Sequence, residues 1–166
     1  AQLPPSNLVF LIDVSGSMHS RLSLVKSALK LLVEQLKSDD RISIVVYAGA
    51  AGAVLDSISG DKKTEINKSL DDLTAGGSTA GGAGIELAYH IAKENLIKKG
   101  NNRVILLTDG DFNVGPSSHS ELYDIIEEKR KTGIYLTVLG FGRGNLKDST
   151  MELLADKGNG NYAYID

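Results

Sequence analysis

Four stretches of this chain are apolar and almost uninterrupted: Leu8-Val9-Phe10-Leu11-Ile12, Ile42-Ser43-Ile44-Val45-Val46-Tyr47, Val104-Ile105-Leu106-Leu107-Thr108 and Ile134-Tyr135-Leu136-Thr137-Val138-Leu139. They are rich in β-branched residues and lack the alternation of a strand with one wet face, so they predict strands covered by helices on both sides. Between them the period changes. Leu22, Val25, Leu29, Leu32, Val33 and Leu36 recur at helical spacing, with Lys26, Lys30, Glu34 and Lys37 on the other face. Ile85, Ala88, Tyr89 and Ala92 form a second stripe, and Leu122, Ile125 and Ile126 a third. Ser118 with Glu121, and Ser149 with Glu152, have capping-box spacing. Gly133 and Gly158 sit where helices should stop.

Strands alternating with helices predict an α/β domain with a mainly parallel sheet. Ala53 to Ser59 reads as a weaker, shorter strand behind the Gly49–Gly52 connection. A connection that brief cannot be a parallel crossover, so this strand is expected to pair antiparallel at an edge. Tyr162–Ile165 is the last strand, with Tyr162 and Tyr164 expected to pack. The Gly-rich stretch Gly76–Gly84 falls just ahead of a helix. Residues 1–7, which begin Ala1-Gln2-Leu3-Pro4-Pro5-Ser6, read as a linker, and residues 8–166 as one domain.

Composition removes several classes of function. A net charge of −3 gives no basic footprint, so nucleic acid is not the expected partner. The absence of cysteine excludes a disulfide scaffold and thiolate metal sites. The longest apolar runs fall far short of the ~20 residues that span a bilayer, so direct membrane insertion is not expected.

The chemistry concentrates after the first strand, in Asp13-Val14-Ser15-Gly16-Ser17-Met18. One carboxylate and two hydroxyls end a buried strand, with Gly between the hydroxyls. That puts three oxygen ligands at the carboxyl edge of the sheet, and hard cations such as Mg²⁺ bind oxygen in near-octahedral geometry. So few charges leave the metal electrophilic and able to take a further carboxylate from outside. In open parallel sheets ligands bind where the strand order reverses. The strands that end at Asp13 and Asp109 would share one crevice if they are neighbours there. A plainer alternative gives Asp13 and Ser15 turn and N-cap duties only.

The D-x-S-x-S segment, together with Gly77-Ser78-Thr79-Ala80-Gly81-Gly82 and Thr108-Asp109-Gly110-Asp111, resembles the metal-ion-dependent adhesion site (MIDAS) of von Willebrand factor type A domains. The resemblance runs from Leu8 to Asp166. It implies a Rossmann-like, doubly wound fold and a divalent-metal-dependent protein-binding module. Carried over by position, Ser15 and Ser17 are direct hydroxyl ligands, and Thr79 becomes one when a partner binds. Thr79 fits the family's spacing to Gly82 and Ile85 better than Ser78 does. Asp13 and Asp109 act largely through water, and Gly110 lets the last loop turn tightly. The implied metal is Mg²⁺, with Mn²⁺ or Ca²⁺ as substitutes, and the implied partner is a protein supplying Asp or Glu. The family usually adds a helix after its last strand; the sequence stops at Asp166, so that helix is expected to be lacking here, and with it any helix-shift switching.

Two other readings stand beside this one. A structural assembly module would keep the site permanently occupied. A Mg²⁺-dependent phosphohydrolase would use Asp13 as nucleophile, but such sites carry a second Asp two residues on, where this chain has Ser15. Neither a G-x-S-x-G elbow nor a P-loop is present, and Gly140-Phe141-Gly142-Arg143-Gly144 does not complete a dinucleotide fingerprint. The domain is therefore expected not to be an enzyme. Asp111 could add charge at the site rim and His19 could contact a ligand, whereas His90 on a helix and His119 in the loop before one suggest no chemistry. Asn101–Asn113 and Gly158–Asp166 most resemble bacterial type A domains found in longer, uncharacterised exported proteins, which implies an extracytoplasmic location.

Overall fold

Strand β1 (Ser6–Asp13) is buried from Asn7 onward and has a parallel neighbour on each side. The computed structural model describes residues 4–48, 50–76, 81–108, 119–141 and 162–165. Its other strands are β2 (Arg41–Ala48), β3 (Ala50–Ser59), β4 (Asn101–Thr108), β5 (Ile134–Phe141) and β6 (Tyr162–Ile165). They form one sheet in the order β3-β2-β1-β4-β5-β6. Among the described residues only the β2–β3 pairing is antiparallel, and β3 lies at the edge, as the brief connection suggests.

Alternation along β1 divides the core in two. Leu8, Phe10 and Ile12 pack with Leu22, Val25, Leu29 and Val33 of helix α1 (Leu22–Glu34) and with Ile66 and Leu70 of α2 (Lys63–Asp71). Val9 and Leu11 pack on the opposite face with Ile85, Ala88, Tyr89 and Ala92 of α3 (Gly81–Glu94) and Ile126 of α4 (His119–Lys131). Period-two side chains on a strand covered from both sides explain why its sequence shows no polar alternation. Lysines tie the α1–α2 layer together. Lys63 Nζ donates to the carbonyls of Val33 and Leu36 at the end of α1, and Lys26 Nζ does the same at the end of α2. The two helices therefore run antiparallel, each capped by the other.

Several expectations need adjustment. β3 begins at Ala50 and is ten residues long, not the short strand expected from Ala53. Its small residues Ala50, Ala51 and Gly52 pair with Ala48, Tyr47 and Val46, continuing a hairpin that composition alone marks as loop. Helix α2 has no counterpart in the reading above, because only Ile66 and Leu70 of its nine residues are buried apolar ones. Leu32 has the right period for the α1 core face but is 36% exposed. The glycines of 81–84 lie inside α3 instead of ahead of it, and Gly84 permits a close approach: a Cβ there would sit 3.0 Å from Leu11 and Tyr47 side-chain atoms. His119 opens α4 instead of preceding it. Gly133 has φ +92°, and its N–H donates to the Arg130 carbonyl, the helix stop its position suggests. Pairing starts at Ser6, within the stretch expected as linker, because buried Asp40 accepts the Ser6 N–H and the Pro5 carbonyl accepts the Asn101 N–H. The caps at Ser118 and Ser149, the stop at Gly158, and Asp111 lie outside the described residues, as do the side chains of Tyr162 and Tyr164. No helix among the described residues is long and apolar enough to cross a membrane.

Tyr89 carries an identifiable cost. It is 1% exposed and its hydroxyl has no hydrogen-bond partner among the described residues. Burial pushes its pKa well above the ordinary 10.0. Below pH 10 the phenol is neutral folded and unfolded; above it only the unfolded chain ionises readily, so stability falls as pH rises further. Tyr89→Phe should therefore raise stability by about 1 kcal/mol near neutrality and make alkaline unfolding shallower. Urea titrations at pH 7 and 10.5 check both; a destabilised Phe variant would mean the hydroxyl is satisfied.

Candidate metal centre

The strand order reverses at β1, whose chain leaves toward β2 on one side while β4 and β5 lie on the other. A crevice at the carboxyl ends of β1 and β4 follows from that reversal. Asp13 ends β1 there and is fully buried. It continues the Val9–Leu11 face, while Thr108 continues the Val104–Leu106 face of β4, one step beyond the Ile12–Leu107 pair. The two side chains meet: the Thr108 hydroxyl donates to Asp13 Oδ2 at 3.2 Å.

The next residues fold back on the same carboxylate. Ser15 N–H donates to Asp13 Oδ1 at 2.8 Å, an Asx-type turn. Ser15 then adopts an extended conformation, φ −62° and ψ 167°, ahead of a short 3-10 turn at Gly16–Met18. Met18 N–H closes that turn on the Ser15 carbonyl, and its fully buried side chain anchors the loop in the α1 layer. Ser15 stands at the N-cap position of the turn, yet its side chain makes no capping bond. Its Oγ instead lies 3.1 Å from Ser17 Oγ. The capping alternative thus accounts for the Asp13 turn but not for the serine hydroxyls.

Exposure grades across the three residues. Asp13 is buried, Ser15 is 3% exposed, and Gly16 and Ser17 face solvent. A carboxylate held at the floor with two hydroxyls rising from it gives an oxygen-only donor set open on one side. Adjacent ligands on an octahedral cation at 2.0–2.1 Å are about 2.9 Å apart, and at the 2.3–2.6 Å of Ca²⁺ about 3.3–3.7 Å. The observed serine separation, itself a hydrogen-bond distance, falls between the two ranges. Thr79 and Asp109, the other two residues expected here, lie outside the described residues, although β4 ends at Thr108, the residue before Asp109. Of the residues named as doubtful, His19 is exposed beside the loop, and His90 pairs with Glu94 on the outside of α3. Thr108 was visible in the sequence as part of Thr-Asp-Gly, but nothing in its type signalled the bond to Asp13.

The chain belongs to the von Willebrand factor type A domain family, whose model matches residues 7–166. It is 52% identical over 167 residues to the uncharacterized protein YfbK of Escherichia coli (strain K12), covering 99% of this chain but 29% of that protein. The fold is similar to that of a von Willebrand factor type A protein from Catenulispora acidiphila, with TM-score 0.83 and 22% identity over 98% of this chain and 39% of the other. It is also similar to proximal thread matrix protein 1 of the mussel byssus, in a structure with a zinc-occupied MIDAS motif. There the TM-score is 0.73 and the identity 24%, over 98% of this chain and 42% of the other.

Because Thr108 is buried and donates to a carboxylate, Thr108→Val should cost about 2 kcal/mol. Ser17→Ala, at an exposed side chain, should stay within about 0.5 kcal/mol. Urea unfolding in chelator measures both, and a Val variant as stable as wild type would remove Thr108 from the support of Asp13.

Proposed function

We propose that this domain is a divalent-cation-dependent protein-binding module that captures an acidic side chain of its partner. Asp13, Ser15, Ser17, Thr79 and Asp109 would hold the cation. The observation that carries the reading is the convergence of the Ser15 and Ser17 hydroxyls, 3.1 Å apart, beside a buried carboxylate at the strand-order reversal. Mg²⁺ is the metal that an all-oxygen donor set of low charge suits, with Mn²⁺ or Ca²⁺ as substitutes. A cation bound mainly by neutral hydroxyls supplies positive charge and an exchangeable position for an incoming Asp or Glu.

The residues divide that task. Asp13 supplies negative charge from the floor and holds the Ser15 backbone, while the Ser15 hydroxyl faces that of Ser17. Ser17 stands at the open side, where a partner arrives. Thr79, six residues ahead of Ile85, would close on the site as the partner's carboxylate enters. The zinc-occupied MIDAS of proximal thread matrix protein 1 supports the metal reading by likeness of fold. The domain is proposed not to be an enzyme. Asp13 is buried and both its oxygens accept hydrogen bonds, which blunts it as a nucleophile. Extracytoplasmic placement within a longer chain belongs to the same proposal and rests on the likeness of Asn101–Asn113 and Gly158–Asp166 to exported domains.

Calorimetric titration should detect Mg²⁺ and Mn²⁺ binding to wild type and none to Asp13→Ala or Asp109→Ala, both of which should remain folded. Capture of an acidic peptide or partner should require the metal, vanish in chelator, and fail when the acidic residue becomes its amide. Thr79→Ala should weaken that capture more than it weakens metal binding. Capture undiminished by chelator would put the interaction surface elsewhere and leave any bound cation a structural role.

A further inference from the structure

We propose that Lys26 is a positioning residue for the Asp13–Ser17 site, acting through the segment Asp71–Gly76. This rests on the cation-site reading above and adds to it a residue on none of the three metal-binding loops. The Val14–Ser15 peptide unit is held from both sides. Its N–H donates to Asp13 Oδ1, and its carbonyl accepts the Gly76 N–H at 2.7 Å. The plane of that peptide sets the backbone from which the Ser15 side chain projects. The two bonds also reinforce each other, because an amide whose carbonyl is engaged is a stronger donor through its N–H.

The segment leading to Gly76 is held in turn. Lys26, in the second turn of α1, sends its ammonium to the Leu73 carbonyl at 2.7 Å and the Asp71 carbonyl at 2.9 Å. These carbonyls lie at the C-terminus of α2, where a helix leaves acceptors unpaired and favours a cation. Lys30, one turn along α1, reaches the same place differently, pairing with the Asp71 carboxylate. Lys26 therefore fixes the backbone that leads to Gly76, whereas Lys30 fixes only a side chain. The helix that starts four residues after Met18 thus reaches back, through Leu73 and Gly76, to orient the peptide just after Asp13.

The test compares wild type with Lys26→Met, which keeps the apolar stem and loses the donors, Lys26→Arg, which keeps charge and donors, Lys30→Met and Asp13→Ala. Lys26→Gln replaces the Met variant if that one does not fold. Amide exchange in chelator reads the peptide clamp, and calorimetry with Mn²⁺ reads the site. Lys26→Met should speed exchange at Ser15 and Gly76 about tenfold and weaken Mn²⁺ binding about threefold to tenfold. Arg should restore both, and Lys30→Met should change neither. Wild-type exchange and wild-type Mn²⁺ affinity in Lys26→Met would overturn the proposal and leave Lys26 a helix cap. Faster exchange with no Mn²⁺ binding in any protein, wild type included, would instead overturn the cation-site reading and the positioning role with it.

Discussion

Burial of β1 on both faces, with parallel neighbours on both sides, is the constraint from which the remaining architecture follows. Leu8, Phe10 and Ile12 need a helical layer over one face, and Val9 and Leu11 need another over the opposite face. Parallel neighbours cannot be joined by tight turns, so each connection must be a crossover carrying a helix. The chain leaves β1 through α1 to β2, then returns across the other face through α3 to β4. The carboxyl ends of β1 and β4 are then left without a connection passing between them. Asp13 lies at that gap because it is the residue at which the buried run ends.

A buried carboxylate is costly unless its oxygens are satisfied. The structure meets that cost with local backbone and a neighbouring strand. Ser15 N–H and the Thr108 hydroxyl take one oxygen each, and a hydrogen bond to a charged acceptor contributes about 1.5–3 kcal/mol. A contrasting solution appears at the opposite edge of the sheet. Asp40, also buried, accepts the Ser6 and Lys37 N–H groups. The two aspartates have the same chemistry but different surroundings: Asp40 fastens chain to chain, while Asp13 supports a buried Ser15 whose hydroxyl meets that of solvent-exposed Ser17.

Much of this was legible in the sequence because double-sided burial leaves a strong trace. Continuous β-branched runs marked β1, β2, β4 and β5, and the length of one connection marked β3 as an antiparallel edge. Elements with weaker hydrophobic demand left less. Helix α2 buries two apolar side chains and is otherwise polar, so its period is hard to separate from that of a loop. Leu32 shows the converse, an apolar residue with the right period on a helix whose core stripe is narrower than the sequence suggests. The convergence of Asp13, Ser15 and Ser17 was readable as a spacing of oxygen donors, because Asp, Ser and Ser at alternate positions after a strand constrain each other. Thr108 and Lys26 were not readable in this way. Their contacts depend on strand register and helix phase, which bring together residues 95 and 47 positions apart in the chain.

This division bears on how such a site keeps both affinity and exchange. If the metal were held by carboxylates alone, its charge would be neutralised and little attraction would remain for an acidic partner. Hydroxyl ligands avoid that, but they are weak and rotate freely, so their value depends on being pointed correctly before the cation arrives. The backbone supplies that orientation here. The Val14–Ser15 peptide is fixed by a carboxylate on one side and a glycine amide on the other, and Met18 pins the far end of the loop in the core. Only Ser17, between those anchors, is left at the solvent side. The anchored part of the loop thus sets the geometry of the donors, while its exposed part is where, in the proposed reading, a partner's carboxylate would enter without unfolding anything beneath it.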